Sequence, residues 1–289
     1  MSMITLSIII LSYNTRELTR KCIESIIARY EKELKSGEFE LIVIDNASSD
    51  DTVGTINKSY VKLIKNKENY GFAKGSNIGA RVAKGKYLFF LNSDTKILDR
   101  GLLQMIAYLN QHELVGVLGA KLYNVDGSEQ KSAGSFYTLP LVFLMLFGAD
   151  RAGFLRSSPK DIQKVDWVSG GAMMVRSDFF KSLDGFDEAF FMYVEDMELC
   201  FRAKKEGFAT YFFPKVAIEH KTLGSSNRTF AILSIYKGLL YFYKKHGNFI
   251  QYSLVRLFLA IKASLALVVG IVSHNTYLTF TYRKAISLL

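Results

Sequence analysis

The sequence contains little cysteine: its two cysteines, Cys22 and Cys200, both fall within apolar patterns of helical spacing in a chain of 289 residues. We interpret both as small core side chains, because a lone cysteine in such a pattern is seldom a metal ligand or a disulfide partner. The apolar segment 1–11 lacks a basic leading region and a small-residue cleavage site, so we predict a buried strand there and no targeting signal. These two absences predict a cytoplasmic protein.

Acidic residues are missing from the C-terminal part of the chain, where Glu219 is the last one. Nine lysines and arginines lie beyond it, and the chain has a net charge of +10, which leaves a net charge of +1 for residues 1–219. A basic segment without acids is suited to an anionic surface, either lipid headgroups or nucleic acid.

The sequence also lacks a long uncharged apolar run. Segment 249–272 is dominated by apolar residues, which favours lipid over nucleic acid, but Arg256 and Lys262 interrupt it. A membrane-spanning helix needs roughly 20 mostly uncharged residues. We therefore expect a helix that lies in the headgroup plane with its basic side chains reaching the aqueous side. The alternatives are a helix packed on the body of the protein and a spanning helix.

Two nucleotide-binding motifs are absent. No G-x-G-x-x-G follows the first apolar segment, and no Walker-type Gly-Lys-Ser/Thr is present. The first absence argues against a dinucleotide cofactor, and the second argues against hydrolysis of a nucleoside triphosphate.

The first hundred residues alternate between strand-like and helix-like patterns, without internal repeats or low-complexity segments. The predicted strands lie at 4–11, 41–44, 61–64 and 87–91, and the predicted helices at 16–29 and 72–82. Further elements follow as a helix near 102–109, a strand near 115–122, a turn at 124–127, and a variable loop or short helices at 138–159. Strands that alternate with helices predict an α/β fold whose mainly parallel sheet is flanked by helices.

Short polar side chains follow three of the predicted strands, and open α/β sheets bind their ligands at that carboxyl edge. They are Ser12, Tyr13 and Asn14 after the first strand, Asp45 and Asn46 after the second, and Asn92, Ser93 and Asp94 after the strand at 87–91. Segment 70–77 adds Gly71, Lys74 and Asn77, in a stretch whose glycines allow a ligand to approach the backbone. The alternative is that these residues are ordinary loop and helix-capping residues.

Two adjacent acids, Glu195 and Asp196, follow an aromatic stretch and open a helical apolar pattern. Burial beside aromatic rings and the repulsion between like charges should raise the pKa of at least one of them toward the range of a general base. The alternative is a pair of acids that the helix dipole favours at a helix N-terminus. Glu198 and Arg202, four residues apart, predict an ion pair on the helix surface.

Eight short motifs together resemble family 2 glycosyltransferases of the GT-A fold, and among them the rhamnosyltransferase-like branch. The resemblance covers residues 4–220, and its motifs lie at 10–14, 43–50, 69–77, 91–94, 167–171, 185–188, 193–196 and 219–220. The segment after residue 228 resembles the family only in its basic, apolar character. The implied organisation is a GT-A domain at 1–228 and a helical, membrane-associating segment at 229–289.

The resemblance also implies the roles of the donor-binding residues. Tyr13 would stack on the base of a nucleotide sugar, and Asp45 would accept the ring N–H of a uracil or thymine. Asp94 corresponds to the last acid of the family's D-x-D motif and would hold Mg²⁺ or Mn²⁺ on the diphosphate. The first acid of that motif is Asn92 here, which removes one charge. His220 aligns with a histidine that can complete the metal site.

The implied catalytic group is Asp196, a general base that takes the proton of the acceptor hydroxyl in a direct displacement with inversion. Glu195 would fix the acceptor or orient the base. Gly170 and Gly171 would lie against the sugar or the acceptor, and Trp167 would lie in the same loop or in the core.

The expected function is the transfer of one sugar from a UDP- or dTDP-sugar, for which the branch favours dTDP-rhamnose, to a lipid-linked or polysaccharide acceptor. The expected place is the inner face of the cell membrane, with an anionic membrane surface as partner and no nucleic acid. A sugar nucleotidyltransferase would need a Gly-rich basic loop directly after the first strand, and this chain has residues 12–15 there instead. A processive synthase would need several spanning helices and a Q-x-x-R-W motif, and neither appears in the sequence. A catalytically degenerate scaffold of the same fold is the non-enzyme alternative, because Asn92 departs from the strict motif. The sequence does not identify the sugar, the acceptor or the oligomeric state.

Overall fold

The computed structural model describes residues 4–52, 54, 56, 59–145, 148, 155–221 and 227–289. The strands within these residues are β1 (Leu6–Ser12), β2 (Phe39–Asp45), β3 (Val61–Lys65), β4 (Tyr87–Asn92), β5 (Thr95–Ile97), β6 (Val115–Tyr123), β7 (Glu129–Gln130), β8 (Ala133–Gly134), β9 (Arg156–Ser157), β10 (Gln163–Val165), β11 (Trp167–Val168), β12 (Ala172–Arg176) and β13 (Ala209–His220). The helices are α1 (Arg16–Lys35), α2 (Gly71–Val82), α3 (Leu102–Gln111), α4 (Leu139–Leu144), α5 (Ser177–Ser182), α6 (Glu195–Lys205), α7 (Arg228–His246), α8 (Phe249–Val272) and α9 (Thr276–Ile286).

One mixed sheet forms the centre of the fold, with the strand order β10-β13-β6-β12-β4-β1-β2-β3. Strands β3, β2, β1 and β4 are parallel, and β6 and β13 form a second parallel pair. Strand β12 lies antiparallel between β4 and β6, while the short strands β5 and β7 pair with β13 and β6. The predicted alternation of strands and helices is therefore confirmed.

The central strands are apolar on both faces because helices cover both. In β1, Ile8 and Ile10 belong to a buried cluster that includes residues of α1 and α3. Ile9 and Leu11 point to the other face, where they lie directly against Gly79 and Gly75 of α2. Strands buried on both faces are expected to form continuous apolar runs rather than alternating ones.

Helix α1 extends beyond the predicted end at residue 29, but the chain kinks there. Tyr30 has a non-helical backbone conformation (φ −129°), and its buried hydroxyl accepts a hydrogen bond from the Leu102 N–H at 3.1 Å. Cys22 and Cys200 are buried as predicted, and burial raises the pKa of both thiols to about 12. Both cysteines are therefore unreactive core residues at neutral pH.

The chain divides into two compact units. The first comprises 1–134, 157–191 and 195–225 and contains the mixed sheet, and the second comprises 135–156, 192–194 and 226–289. The sequence pattern did not associate 135–156 or 192–194 with the C-terminal helices. In the predicted loop at 138–159, the structure has α4 and β9, and residues 146, 147 and 149–154 lie outside the described residues.

Helix α8 packs against α9, α7 and α4 within the second unit. By length and composition it could cross a membrane, with a mean hydropathy of 2.2, and only 22% of its most apolar window is buried. The buried side includes Val255, Leu259 and Ala263. Five apolar residues at helical spacing are exposed on the opposite side, and we call them the α8 stripe: Leu257, Ile261, Leu265, Val268 and Val272.

Candidate active site

The predicted site residues of the first unit meet at one edge of the sheet. Parallel pairing aligns Ser12 of β1 with Asp45 of β2, and the neighbouring pair aligns Leu11 with Asn92 of β4. The antiparallel strand β12 begins at the same edge, where the Asn92 N–H donates a hydrogen bond to the carbonyl of Gly171 at 3.0 Å. The carboxyl edge of the sheet therefore collects residues that are far apart in the sequence.

Tyr13 projects from this edge and is 41% exposed. Its neighbour Asn14 adopts a left-handed conformation (φ 51°) and holds the loop after β2: its N–H donates to Ser48 Oγ at 3.0 Å, and its Oδ1 accepts from the Ser49 N–H at 2.7 Å. Asp50 accepts a hydrogen bond from the Arg16 N–H at 2.9 Å and fastens this loop to the start of α1. The loops after β1 and β2 thus form one connected support around an exposed aromatic ring.

The side chain of Asn46 forms hydrogen bonds to other groups of the protein. Its Nδ2 donates to Asn69 Oδ1 at 2.7 Å, and its Oδ1 accepts from Asn66 Nδ2 at 2.9 Å and from the Tyr70 N–H at 3.1 Å. These hydrogen bonds hold the segment before α2, and the predicted contact of Asn46 with the donor stays a prediction. Its neighbour Asp45 is buried and accepts a hydrogen bond from the Ser48 N–H at 3.3 Å.

The hydroxyl groups of Ser12 and Ser93 face the interior instead of a ligand. Ser12 Oγ lies 3.1 Å from Thr15 Oγ1 and 2.7 Å from Thr19 Oγ1, and Thr15 Oγ1 lies 3.0 Å from Ser93 Oγ. All four residues are buried. This cluster ties together the end of β1, the start of α1 and the end of β4, and the prediction that Ser12 and Ser93 belong to the nucleotide-sugar site stays a prediction.

The space next to the Cα of Gly71 is occupied by protein atoms. It has φ 76°, a conformation that favours glycine, and a Cβ there would overlap the carbonyl oxygen of Phe191. That oxygen accepts a hydrogen bond from the Phe72 N–H at 2.6 Å, which holds the segment before the two acids against α2. Lys74 Nζ lies 4.0 Å from the centre of the Tyr70 ring, at the start of the same helix.

Asn77 likewise holds a loop in place. Its Nδ2 donates to the Phe186 carbonyl at 2.8 Å and its Oδ1 accepts from the Phe186 N–H at 3.0 Å, and the residue is buried. Both polar ends of the amide are therefore satisfied by the motif at 185–188. Asn77 therefore holds the loop at 185–188 against α2, and its predicted contact with the donor stays a prediction.

Asp94 and His220 form the one pair of predicted metal ligands that the structure brings together. His220 Nε2 lies 3.2 Å from Asp94 Oδ1, and this buried oxygen accepts no hydrogen bond. His220 Nδ1 lies 2.6 Å from Gln130 Oε1, and Asn92 Nδ2 lies 3.4 Å from Nε2. Gln130 Oε1 accepts the hydrogen bond from Nδ1–H, which leaves Nε2 as the ring nitrogen that faces Asp94.

This arrangement fits a divalent cation. A buried carboxylate oxygen without a donor and an imidazole lone pair that faces it repel one another unless a cation or a proton lies between them. No cluster of three or more His, Cys, Asp or Glu side chains suited to a metal occurs in the described part of the chain. The protein therefore offers two donor atoms, and the other positions would be filled by diphosphate oxygens and water. The oxygen ligands, from the carboxylate, the diphosphate and water, suit Mg²⁺ or Mn²⁺.

Asp196 is held at the beginning of α6. Its Oδ2 accepts a hydrogen bond from the Gly170 N–H at 3.0 Å, and its Oδ1 accepts from the Met197 N–H at 2.7 Å. The side chain is only partly buried. Tyr193 and Val194, directly before the helix, have φ values of 70° and 77°, which are unfavourable for an L-residue and especially for a β-branched one. Backbone strain of this kind is concentrated at functional sites.

Glu195 is in a different environment from its neighbour. It is 4% exposed, and its Oε2 accepts no hydrogen bond. Burial, and after it the charge of Asp196, raises the pKa of the Glu195 carboxyl well above its ordinary range. The predicted pKa shift is thus confirmed for Glu195. A carboxyl enclosed in protein is suited to orienting the base rather than to fixing an acceptor.

Glu198 and Arg202 form a buried ion pair, so the prediction of a surface pair is wrong. Glu198 is fully buried, and Arg202 Nε donates to its Oε2 at 2.8 Å. The same guanidinium donates to the carbonyls of Leu183 and Gly185, the latter at 2.7 Å. The motif at 185–188 packs over this face of the helix and buries the pair. The i, i+4 spacing of Glu198 and Arg202 carries no information about that packing.

The glycines before β12 are enclosed by protein atoms. A Cβ on Gly170 would lie 3.2 Å from the Phe72 ring, and one on Gly171 would lie 3.2 Å from Asn92 Nδ2. Trp167 is 3% exposed and is a core residue. These positions therefore pack the loop that holds Asp196. Gln130, which contacts His220, was not predicted as a site residue; the only signal for it was the turn at 124–127.

Comparison with known proteins places this geometry in a family. Residues 7–183 match the profile described as "Glycosyl transferase family 2". The chain is 26% identical over 208 residues to the low-salt glycan biosynthesis hexosyltransferase Agl10 of Haloferax volcanii, covering 70% of this chain and 62% of that protein. It is 27% identical over 217 residues to the rhamnosyltransferase WbbL of Escherichia coli K12, covering 72% and 80%. The chain thus spans less than two thirds of the archaeal relative.

Solved structures show the same fold. S. aureus TarS 1-349 in complex with UDP-GlcNAc has a TM-score of 0.60 and 17% identity, covering 97% of this chain and 79% of that one. GalNAc-T7 with UDP, GalNAc and Mn²⁺ has a TM-score of 0.60 and 17% identity, covering 93% and 58%. The predicted GT-A fold, a mainly parallel sheet flanked by helices with a C-terminal helical segment, is confirmed.

Proposed function

This chain belongs to glycosyl transferase family 2, and on that premise we propose that it transfers one sugar, with inversion, from a UDP- or dTDP-sugar to a lipid-linked or polysaccharide acceptor. One observation carries the proposal: Asp196, held through Gly170, lies at the sheet edge that also holds the Asp94 and His220 pair. The proposal puts the meeting point of the diphosphate leaving group and the attacking hydroxyl between those groups.

We propose that Tyr13 and Asp45 bind the base. Tyr13 supplies an exposed ring at the end of β1, on which a base can stack. Asp45, on the adjacent strand, supplies a carboxylate that accepts the ring N–H of uracil or thymine. Asn14 supports both by holding the loop after β2.

Asp94 and His220 are the residues that would hold Mg²⁺ or Mn²⁺. When bound, the cation neutralises the charge that develops on the diphosphate leaving group. Asp94 supplies an oxygen that has no hydrogen-bond donor in the protein, and His220 supplies Nε2. Mn²⁺ is the ion present with the similar fold of GalNAc-T7.

Asp196 is the proposed general base. Its carboxylate takes the proton of the acceptor hydroxyl while that oxygen forms a bond to the anomeric carbon. The bond between this carbon and the diphosphate oxygen breaks, and the nucleoside diphosphate leaves with the electron pair on the opposite side, which inverts the configuration. Gly170 and Met197 fix the orientation of the base through their N–H groups. The raised pKa of Glu195 favours its neutral form, which would add no second charge beside the base.

The acceptor side of the proposal rests on the second unit. The α8 stripe exposes apolar side chains, Arg256 and Lys262 flank it by helical spacing, and no acid occurs after Glu219. These features support a helix in the plane of an anionic, inner membrane surface, where lipid-linked acceptors are found.

The matching test is sedimentation with phosphatidylglycerol vesicles: Leu257→Asp with Val268→Asp should reduce the bound fraction more than tenfold. Leu114→Asp, at an exposed leucine of the first unit, should not.

The activity is tested by nucleoside diphosphate release from a panel of UDP- and dTDP-sugars with Mn²⁺ or Mg²⁺. WbbL makes a rhamnosyl donor the first choice and TarS makes UDP-GlcNAc the second. We expect one donor to be turned over, with the signal lost in Asp94→Ala and Asp196→Asn and kept in Asp161→Asn, an exposed control. Release that survives in both site variants would contradict the proposed roles.

A further inference from the structure

A chain of side-chain hydrogen bonds leads from the β6–β7 hairpin to His220. Ser128 Oγ lies 2.6 Å from Asp126 Oδ1, and Asn124 Nδ2 lies 2.9 Å from Ser128 Oγ. Gln130 Nε2 lies 3.0 Å from Asn124 Oδ1, and His220 Nδ1 lies 2.6 Å from Gln130 Oε1. We call these five residues the hairpin relay.

The direction of the hairpin relay is set at its exposed end. The ionised carboxylate of Asp126 can only accept, and the hydrogen bonds from Ser128 lower its pKa below the ordinary range. Ser128 must therefore donate its hydroxyl proton to Asp126 and accept from the Asn124 amide. Asn124 is then left with its carbonyl oxygen toward Gln130, which donates its amide hydrogen there and presents its own carbonyl oxygen to His220.

The last step decides the tautomer of the imidazole. An oxygen at Nδ1 accepts only if Nδ1 carries the proton, so the neutral ring has its lone pair at Nε2. That nitrogen is the one that lies 3.2 Å from Asp94 Oδ1. Metal-binding histidines in proteins are commonly oriented in this way by an acceptor at the other ring nitrogen.

Local folding explains why the acceptor lies there. The turn at 124–127 returns the chain so that Gln130 pairs with Leu122 of β6, and the Asn124 N–H donates to the Ser128 carbonyl at 2.8 Å. Gly127 provides the left-handed residue of this turn (φ 82°) with open space around it. Leu122 in turn pairs with Ile218 of β13, two residues before His220. The hairpin and the histidine are thus held in register by the sheet itself.

We propose that Gln130 is a positioning residue, which, through the hairpin relay, keeps the His220 imidazole in the tautomer that presents Nε2 to a divalent cation shared with Asp94. This inference rests on the proposed function for the identity of the site. It assigns to an exposed surface turn a role in the affinity for the cation.

The test uses the full chain and two readouts. The first is the ¹⁵N spectrum of the His220 ring without metal at neutral pH, assigned among the four histidines by comparison with His220→Gln. The second is the affinity for Mn²⁺, measured by electron paramagnetic resonance with and without UDP. The variants are Gln130→Met, which removes the acceptor, Gln130→Glu, which retains one, and Lys131→Met, an exposed control directly after the same strand.

We expect the wild-type ring to carry its proton on Nδ1. Gln130→Met should lose this preference and bind Mn²⁺ about 10–100-fold more weakly, the range found for outer ligands of metal sites. Gln130→Glu should restore both properties, and Lys131→Met should change neither. Ser128→Ala, at an exposed position that folding tolerates, should weaken the preference and the affinity in the same direction.

An unchanged tautomer in Gln130→Met or in Ser128→Ala would overturn the inference, as would a wild-type ring protonated on Nε2. Failure of the proposed function has a different signature. If the tautomer responds as expected but no donor is turned over, the hairpin relay stands and the transferase assignment falls. If a donor is turned over in an Asp94-dependent manner while the tautomer does not respond, only the hairpin relay falls.

Discussion

Replacing Glu195 by Gln should change how the stability of the protein depends on pH. The carboxyl is 4% exposed and has one oxygen without a hydrogen bond, and burial followed by the charge of Asp196 raises its pKa well above the ordinary value of 4.5. In the unfolded chain the same group ionises near that ordinary value. The folded state therefore binds one more proton than the unfolded state between the two pKa values.

The sign follows from this difference in bound protons. Where the folded state holds the extra proton, the free energy of unfolding falls as the pH rises, by up to about 1.4 kcal/mol per pH unit. For a protein of this size that corresponds to roughly 2–3 °C in Tm per pH unit. The loss begins as the pH passes 4.5 and ends at the raised pKa of the folded state.

Glu195→Gln preserves the size of the side chain and removes its ionisation. We expect its Tm to exceed that of the wild type by an amount that grows as the pH rises from 4.5 toward the raised pKa of the folded state, measured by scanning calorimetry at several pH values. Asp196→Asn removes the neighbouring charge and should lower the pKa of Glu195. The pH range over which the protein loses stability should therefore be narrower than in the wild type. Glu68→Gln, at an exposed glutamate, controls for the loss of a charge. A Tm difference for Glu195→Gln that is constant with pH would refute the reasoning.

Three further changes have outcomes that the structure predicts. Tyr13→Ala should weaken binding of the productive nucleotide by about 1–3 kcal/mol in a calorimetric titration, while Tyr13→Phe retains it, because stacking requires the ring alone. Gly71→Ala should lower the free energy of unfolding by more than Gly37→Ala does, since both have φ near 75° but only Gly71 would overlap a backbone oxygen; equal losses of about 1–2 kcal/mol would assign the effect to conformation alone. Arg202→Met should cost about 3–5 kcal/mol in a urea titration, because it leaves the carboxylate of Glu198 buried without its partner, and a loss below 1 kcal/mol would contradict the described burial.

The sequence predicted the sheet and the residues at its edge because both depend on local patterns. Continuous apolar runs reveal strands that are buried on both faces, and polar residues after a strand reveal the carboxyl edge. The positions of Tyr13 and Asp94 at this edge were predicted in this way. Glu195 was found because an acid next to another acid and beside aromatic rings is unusual in any fold.

The remaining features depend on contacts between distant segments. Asn77 and Arg202 fasten the motif at 185–188, and neither spacing nor composition links them to it. Ser12 and Ser93 could equally be ligand-binding serines by residue type alone. Only the structure shows that both are buried and that Ser93 lies within hydrogen-bond distance of Thr15, a neighbour of Ser12. Gln130 lies 90 positions from His220, so the contact between them follows from strand register and from nothing in the local sequence.

The most direct measurement separates donor binding from turnover in the same two variants, Asp196→Asn and Asp94→Ala. Binding of the productive nucleoside diphosphate is titrated with and without Mn²⁺, and sugar transfer or donor hydrolysis is followed in parallel. We expect Asp196→Asn to bind like the wild type in the presence of Mn²⁺ and to lose at least a hundredfold in turnover. We expect Asp94→Ala to lose the part of binding that depends on Mn²⁺. If Asp196→Asn turns over the donor at the wild-type rate, or if Asp94→Ala binds with unchanged dependence on Mn²⁺, the assignment of base and cation site to these residues is wrong.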